Sequence, residues 1–193
     1  MKDPRYQDII NDLILGELGN GKQITLRVSG KSMHPLIQHG DSIRIVKCAP
    51  RLLAMGDIVT FKKKGIYFTH RVLWKTRKGN RIRLITKGDN ELNPDPPVSP
   101  DHILGKVVAI GKANRSLHLE TPFWGFINRL LGFIFLSEMA SILLYRFSAG
   151  RFHLPKVKLA LLYRHLKNRS LSLATRIIMQ RYPTTVSPQT INR

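Results

Sequence analysis

One serine of the chain lies in a setting that could do chemistry. The segment VSGKSMHPL, residues 28–36, places Ser32 two residues after a glycine and three before a proline. A serine alcohol is a poor nucleophile until a neighbouring base takes its proton. Ser32 is therefore either an ordinary loop hydroxyl or the nucleophile of a hydrolase, and the choice depends on whether the chain supplies a base.

Histidine is the first candidate for that base, and the chain has seven. His34 is two residues from Ser32, but neighbouring positions on a turn rarely aim their side chains at each other. His70 lies in the segment IYFTHRVLW, where strand alternation places it on one face with Phe68 and Val72. Its ring then points toward a buried or half-buried face, as a base or as an ordinary core histidine.

Other candidate groups have weaker support in the sequence. Lys31 abuts Ser32 and is expected to point to solvent or substrate, and the run Lys62–Lys64 is typical of a solvated strand end. The single cysteine, Cys48, has no partner pattern for a nucleophile. No HExxH motif or paired Cys/His spacing is present, so we expect no zinc site and no cofactor.

An imidazole that acts as a base also needs an acceptor that orients it. Asp89, in TKGDN at a strand end, and Asp95, in the proline-rich loop beyond it, are candidates. Asp89 could equally cap its own turn, as could Asp41 and Asp57 in other Gly-Asp pairs. Spacing alone does not choose among these carboxylates.

The elements that would position these residues are mostly strands. Residues 4–18 predict a short helix, with Asp3 as N-cap and Pro4 at its first position. Residues 24–112 contain short segments rich in Ile, Val, Thr and aromatic residues, separated by Gly-Asp, Lys-Gly and Gly-Asn turns. We predict a mainly β fold, a small barrel-like sheet with a short helix before it.

The composition of the chain changes near residue 120. The net charge is +20, and no Asp or Glu follows Glu138. Residues 122–147 are the most apolar stretch, but its uncharged run is too short for a membrane span, which needs about 20 residues. A helix in a membrane interface, with Phe123 and Trp124 at headgroup depth, is favoured over a helical pair packed on the sheet. Residues 155–182 predict two basic helices that suit an anionic lipid surface.

Three patches, in order, resemble the signal peptidase I superfamily, which shares its catalytic core with LexA-type self-cleaving repressors. They are SGKSMHP with Ser32, GDIVTF followed by THRV with His70, and TKGDNELNPDP with Asp89 and Asp95. A strand reading GKVVAI follows where such domains place their last core strand. The resemblance covers residues 24–112 and implies the β fold of that superfamily.

The resemblance also implies roles. The base position reads THRV, as in the histidine type found in archaea and the endoplasmic reticulum, so Ser32 is the implied nucleophile and His70 the general base. Asp89 matches the earlier acidic position of the motif and Asp95 the later one, and either could orient His70. Met33 and Pro35 are expected to bind substrate.

The chain departs from the histidine type in two places. SGKSM replaces the usual SGSM, so the backbone N–H of Ser32 is expected to supply the oxyanion hole in place of a serine hydroxyl. A short amphipathic helix is expected before Ser32, where signal peptidases carry a membrane anchor. The expected membrane element instead follows the catalytic domain in the sequence.

These observations predict three units: an amphipathic helix at 1–22, a serine peptidase domain at 23–120, and a basic, apolar helical extension at 121–193. The expected function is a serine endopeptidase that removes signal or leader segments from precursor peptides at an anionic membrane surface, on its cytoplasmic face. The alternative is an idle peptidase-like domain whose basic tail binds membrane or nucleic acid. No DNA-reading motif is present, so specific nucleic-acid binding is not expected.

Overall fold

A computed structural model describes residues 4–78, 81–113 and 115–148. Two helices flank one sheet of antiparallel strands in the described residues. The predicted basic helices of residues 155–182 lie outside them. In chain order the elements are α1 (Pro4–Gly19), β1 (Ile24–Arg27), β2 (Ser42–Val46), β3 (Ile58–Lys63), β4 (Ile66–Lys78), β5 (Arg81–Lys87), a 3-10 turn (Pro100–His102), β6 (Ile103–Lys112), β7 (Arg115–His118) and α2 (Pro122–Ser148).

The sheet has the order β1-β2-β6-β3-β4-β5, and β7 pairs with β6 outside this path. All of the pairings are antiparallel. The mainly β fold and the N-terminal helix predicted from the sequence are thereby confirmed. β7 was not predicted, because its four residues bury only Leu117 and carry no alternating pattern.

Two apolar clusters hold the sheet. The larger one joins Leu18 of α1 and Trp124 of α2 to the β1, β2 and β6 side of the sheet, and the smaller one lies among β3, β4 and β5. The chain changes from helix to sheet at Ile24 and back to helix at Pro122, yet both helices share the larger cluster. The division at 22/23 and 120/121 stays a prediction.

Helix α2 has two different faces. Its buried residues recur at helical spacing and contact the sheet: Trp124, Asn128, Gly132, Phe135 and Glu138. The placement of Trp124 at lipid headgroup depth was wrong, because its indole is 5% exposed within the core. Among the residues that the structure describes, no helix combines the length and the hydropathy needed to cross a membrane.

Glycines allow α2 to approach the sheet closely. Gly56 lies in the turn before β3 with a φ of 92°, and a Cβ there would overlap the backbone of Asn128. On the helix side, a Cβ at Gly132 would lie 2.9 Å from the Gly56 nitrogen. The backbones of turn and helix therefore touch, and a side chain at either position would force them apart.

We expect Gly56→Ala to lower the free energy of unfolding far more than Gly65→Ala. Both glycines have positive φ, but nothing lies within 4 Å of a Cβ at Gly65. The control therefore costs only the left-handed conformation, about 1–2 kcal/mol, whereas Gly56→Ala adds an overpacking term of about 1–3 kcal/mol. Urea unfolding of both variants measures the difference, and equal losses would show that α2 does not press on this turn.

Candidate active site

The loop that carries Ser32 is held on its buried side by apolar residues. Met33, Leu36 and Ile37 follow Ser32 and are 3% exposed or less. The Ile37 N–H donates to the Met33 carbonyl at 3.1 Å, so this stretch turns in a helix-like way. Within the described part of the chain neither the Ser32 hydroxyl nor its backbone N–H makes a hydrogen bond, so both remain available to a ligand.

A second turn, Gly88–Asn90, packs directly on Ser32. The Asn90 N–H donates to the Ser32 carbonyl at 2.7 Å. A Cβ at Gly88 would lie 2.8 Å from the Ser32 carbonyl oxygen and 3.0 Å from its Cβ, so only glycine permits this approach. Gly88 directly follows Lys87, which pairs with Arg71 in the β4–β5 ladder. Ser32 is thereby placed beside the end of β5, which pairs with β4, the strand that carries His70.

His70 lies on β4 with its ring buried against aromatic residues. The imidazole is 5% exposed, and its centroid is 5.8 Å from the ring of Phe61 and 5.9 Å from that of Phe68. His70 Nδ1 lies 2.6 Å from Asp95 Oδ2. Because an ionised carboxylate only accepts, this contact places the proton on Nδ1 and leaves the Nε2 lone pair free in the neutral ring.

The other ring nitrogen of His70 differs from the other buried polar side-chain atoms of the described residues, which have hydrogen-bond partners. Nε2 is buried and has no hydrogen-bond partner among the described residues. Buried polar side-chain atoms are nearly always paired, so an unpaired one asks for an explanation such as a catalytic role. The ring is orientated by Asp95 and presents an unused acceptor at its far end.

Asp95 is itself fixed by β5. Thr86 Oγ1 donates to Asp95 Oδ2 at 2.7 Å, and the Asp95 N–H donates to the Thr86 carbonyl at 2.7 Å. Thr86 is fully buried, and its register partner is Val72, on the same face as His70. These bonds hold the proline-rich loop on the sheet, with the Asp95 carboxylate beside Nδ1 of the imidazole.

Asp89 has a different partner from Asp95. Arg71 Nε donates to Asp89 Oδ1 at 2.9 Å and Nη2 donates to Oδ2 at 2.8 Å, a bidentate pair. Both side chains are buried, at 0% and 2% exposure. Of the two carboxylates that the sequence left open, Asp95 contacts His70 and Asp89 contacts Arg71.

A second ion pair lies on the same face of the sheet as Arg71. Lys87 Nζ is 3.4 Å from Glu138 Oε2 of α2 and 4.8 Å from the ring centroid of Phe135. Both partners are buried, at 0% and 1% exposure. Since Arg71 and Lys87 are opposite each other in the ladder, both point away from His70.

The remaining candidates occupy other environments. Met33 is 2% exposed within the core and Pro35 is buried, so the predicted substrate contact of their side chains finds no support in this arrangement. Lys31 is exposed, and burial raises the pKa of the Cys48 thiol, which disfavours the thiolate. Within the described residues no three His, Cys, Asp or Glu side chains cluster as metal ligands.

Sequence reasoning missed the polar residues of the α2 face. The alternation of β4 placed Arg71 opposite His70 but gave no sign that this face is also covered. Two polar residues inside the apolar stretch, Asn128 and Glu138, are ten positions apart and were a signal, because polar groups on a buried helix face need polar partners.

Comparisons with known proteins identify relatives of this chain. The signal peptidase complex catalytic subunit sec11 of Neurospora crassa is 34% identical over 115 residues, which cover 56% of this chain and 63% of that protein. The signal peptidase complex catalytic subunit SEC11 of Fusarium vanettenii is 33% identical over 119 residues, with the same two shares. The chain thus spans less than two thirds of the length of these relatives.

A family model described as Peptidase S24-like matches residues 5–108, which is more than half of the chain and includes the Ser32 loop, His70 and both aspartates. The sequence resemblance is therefore confirmed at the level of the family, and the sheet described above is its fold: the chain belongs to the Peptidase S24-like family.

Proposed function

We propose that the protein is a serine endopeptidase of the signal peptidase type, with Ser32 as nucleophile, His70 as general base and Asp95 as the residue that orients His70. Membership in a peptidase family supports the reaction class. The names of the relatives, catalytic subunits of signal peptidase complexes, support the removal of signal or leader segments from precursors.

One observation carries the proposal. His70 is buried, its Nδ1 is 2.6 Å from the Asp95 carboxylate, and its Nε2 has no partner among the described residues. A core histidine kept only for packing would be expected to satisfy both nitrogens or to be replaced by an apolar side chain. A buried ring orientated by a carboxylate, with a free lone pair, is what a general base requires.

In the proposed reaction the Ser32 hydroxyl attacks the carbonyl carbon of the scissile bond while His70 Nε2 takes its proton. The hydrogen bond between base and nucleophile often tightens only when substrate is bound. Asp95 stabilises the imidazolium, and the Ser32 N–H, which makes no hydrogen bond among the described residues, is the proposed donor to the developing oxyanion. His70 then protonates the leaving amine, and water releases the acyl-enzyme with His70 again as base.

We expect purified protein to cut leader-like peptides at defined positions, and both Ser32→Ala and His70→Ala to abolish the cuts. Loss of either group removes the nucleophile or its activation, and kcat falls by about 10⁴-fold or more when members of such a set are removed. Mass spectrometry of a peptide pool incubated with each protein measures the cuts and their sequence preference.

Matched controls are available close to the same residues. Ser29→Ala changes an exposed serine of the same patch, and His102→Ala changes an exposed histidine, so both variants should cut as wild type does. Cuts that persist at the same positions in Ser32→Ala would exclude Ser32 as the nucleophile. No cuts from wild type in any pool would favour the alternative of an idle domain that binds through its basic tail.

The two aspartates should differ in their effect on stability. Asp95→Asn offers an amide that can donate to Nδ1, which moves the ring proton to Nε2 and blocks the base, so we expect kcat to fall by about 10⁴-fold with little change in unfolding. Asp89→Asn weakens the partner of a fully buried Arg71 and should lower the free energy of unfolding by about 3–5 kcal/mol. Peptide cleavage and urea unfolding of both variants test this, and the reverse pattern would assign the orienting role to Asp89.

We also propose that the enzyme works at an anionic membrane surface. Phe126, Leu130 and Phe133 are 65%, 45% and 61% exposed and lie along one face of α2, opposite its buried face. Arg129 lies exposed among them, and the whole chain carries a net charge of +20. An apolar stripe beside cationic side chains suits a helix lying in the interface of an anionic bilayer. The assignment to the cytoplasmic face stays a prediction.

Replacing Phe126, Leu130 and Phe133 together by serine should weaken binding to phosphatidylglycerol vesicles by about tenfold or more, because each large apolar side chain contributes about 1.5–3 kcal/mol when fully buried. Co-sedimentation of the full chain measures this. The control variant replaces Leu52 and Ile66, which are 70% and 62% exposed on other elements. Equal binding by the two variants would exclude the α2 stripe as the contact.

A further inference from the structure

Helix α2 lies outside the stretch matched by the peptidase family, residues 5–108, yet two of its side chains enter the polar layer behind the site. Asn128 Oδ1 accepts a hydrogen bond from Arg71 at 2.8 Å, and Glu138 pairs with Lys87. We propose that α2 is a positioning element of the active site, acting through these two contacts. The inference rests on the peptidase function proposed above.

The first link runs from Arg71 to the base. Arg71 and His70 are consecutive on β4, so their side chains leave one stretch of backbone on opposite faces. The guanidinium is fully buried and all three of its nitrogens donate, to Asp89, to the Gly56 carbonyl and to Asn128. Because the side chain is fixed at so many points, the backbone that carries His70 is fixed with it.

The second link runs from Arg71 to the nucleophile. Asp89, held by two hydrogen bonds from Arg71, is the middle residue of the turn that packs on Ser32. Gly88 and Asn90 flank it, one against the Ser32 backbone and Cβ and the other donating to the Ser32 carbonyl. One guanidinium therefore ties together the strand of the base and the support of the nucleophile.

Asn128 accepts one of the four hydrogen bonds that this guanidinium donates. Nη1 donates to the Gly56 carbonyl at 2.8 Å and to Asn128 Oδ1 at 2.8 Å. Arg71 is 0% exposed, so bulk water cannot replace the lost acceptor without a rearrangement. We expect the guanidinium to shift when Asn128 is truncated, and the shift to reach both His70 and the Asp89 turn.

Glu138 acts on the neighbouring position of the ladder. Lys87 is the register partner of Arg71 and directly precedes Gly88, so the Lys87–Glu138 pair anchors the end of β5 to α2. Phe135 lies between the two contacts on the helix and stacks under both cations, 4.8 Å from Lys87 Nζ and 5.9 Å from Arg71 Cζ. Three residues on one helix face thus fix two adjacent cations.

The experiment compares Asn128→Ala, Asn128→Asp and Ser137→Ala in the full chain, with a soluble peptide and no vesicles. Asn128→Ala should lower kcat by about 10²-fold with KM nearly unchanged, since misplacement of catalytic groups by about 1 Å has that scale. Asn128→Asp keeps an oxygen acceptor for Arg71 and should recover most of the loss. Ser137→Ala changes an exposed side chain of the same helix and should stay within about twofold of wild type.

A second readout does not need turnover. The Nδ1 proton of His70, held by Asp95, gives a downfield signal in a ¹⁵N-edited NMR spectrum of the histidine rings, assigned by its loss in His70→Ala. Asn128→Ala should shift or broaden this signal, whereas Ser137→Ala should leave it in place. If Asn128→Ala does not fold, Glu138→Gln, which keeps the side-chain shape, replaces it in both measurements, with the same direction expected.

The two proposals fail in different ways. If wild type cuts peptide in a Ser32-dependent manner and folded Asn128→Ala retains wild-type kcat and an unchanged His70 signal, α2 is only a packing element and the positioning role is overturned. If wild type does not cut at all, the peptidase function fails, and the His70 signal alone decides whether α2 positions the ring.

Discussion

The buried guanidinium of Arg71 is the interaction on which the rest of this structure depends. A cation at 0% exposure is tolerated only where it is paired and its donors are satisfied. Asp89 supplies the charge and accepts two hydrogen bonds, and the Gly56 carbonyl and Asn128 accept two more. These partners come from the turn before β3, the turn after β5 and α2. Burial of Arg71 therefore requires these three segments to pack around its side chain. The close approach of Gly56 to Asn128 and Gly132 follows from that requirement.

Because side chains alternate along a strand, the β4–β5 pair has two faces with different side chains and different proposed roles. On one face His70 lies with Thr86 and Asp95, in an arrangement that leaves one ring nitrogen free. On the other, Arg71 and Lys87 are covered by α2, and every ionic partner is engaged. A general base needs a free acceptor atom, whereas the residues that hold it in place need hydrogen-bonded and paired side chains. The two requirements are met on opposite faces of one pair of strands.

The sequence was informative where chemistry is local. Composition and turn signals predicted the strands between residues 24 and 112, Pro4 fitted the start of α1, and the three patches led to the family that the comparisons confirm. What it could not supply was the pairing of residues far apart in the chain. Asp89 and Asp95 differ in sequence only by position, and their different partners follow from the register of β5 and the path of the proline-rich loop. Trp124 was misplaced because an apolar helix beside a sheet and one beside lipid share the same composition.

The polar layer under α2 is better explained by a need to fix the position of the helix on the sheet than by a need to stabilise the fold. Replacing a buried ion pair by apolar residues of similar volume is often neutral or stabilising, so the Lys87–Glu138 pair is not needed to hold α2 on the sheet. An apolar face could also slide by a residue or a turn without much loss. Hydrogen bonds from Arg71 to Asn128 and from Lys87 to Glu138 are made at only one setting of the helix along β4 and β5. Such contacts exchange some stability for a defined register, which is what a site assembled from three distant segments requires.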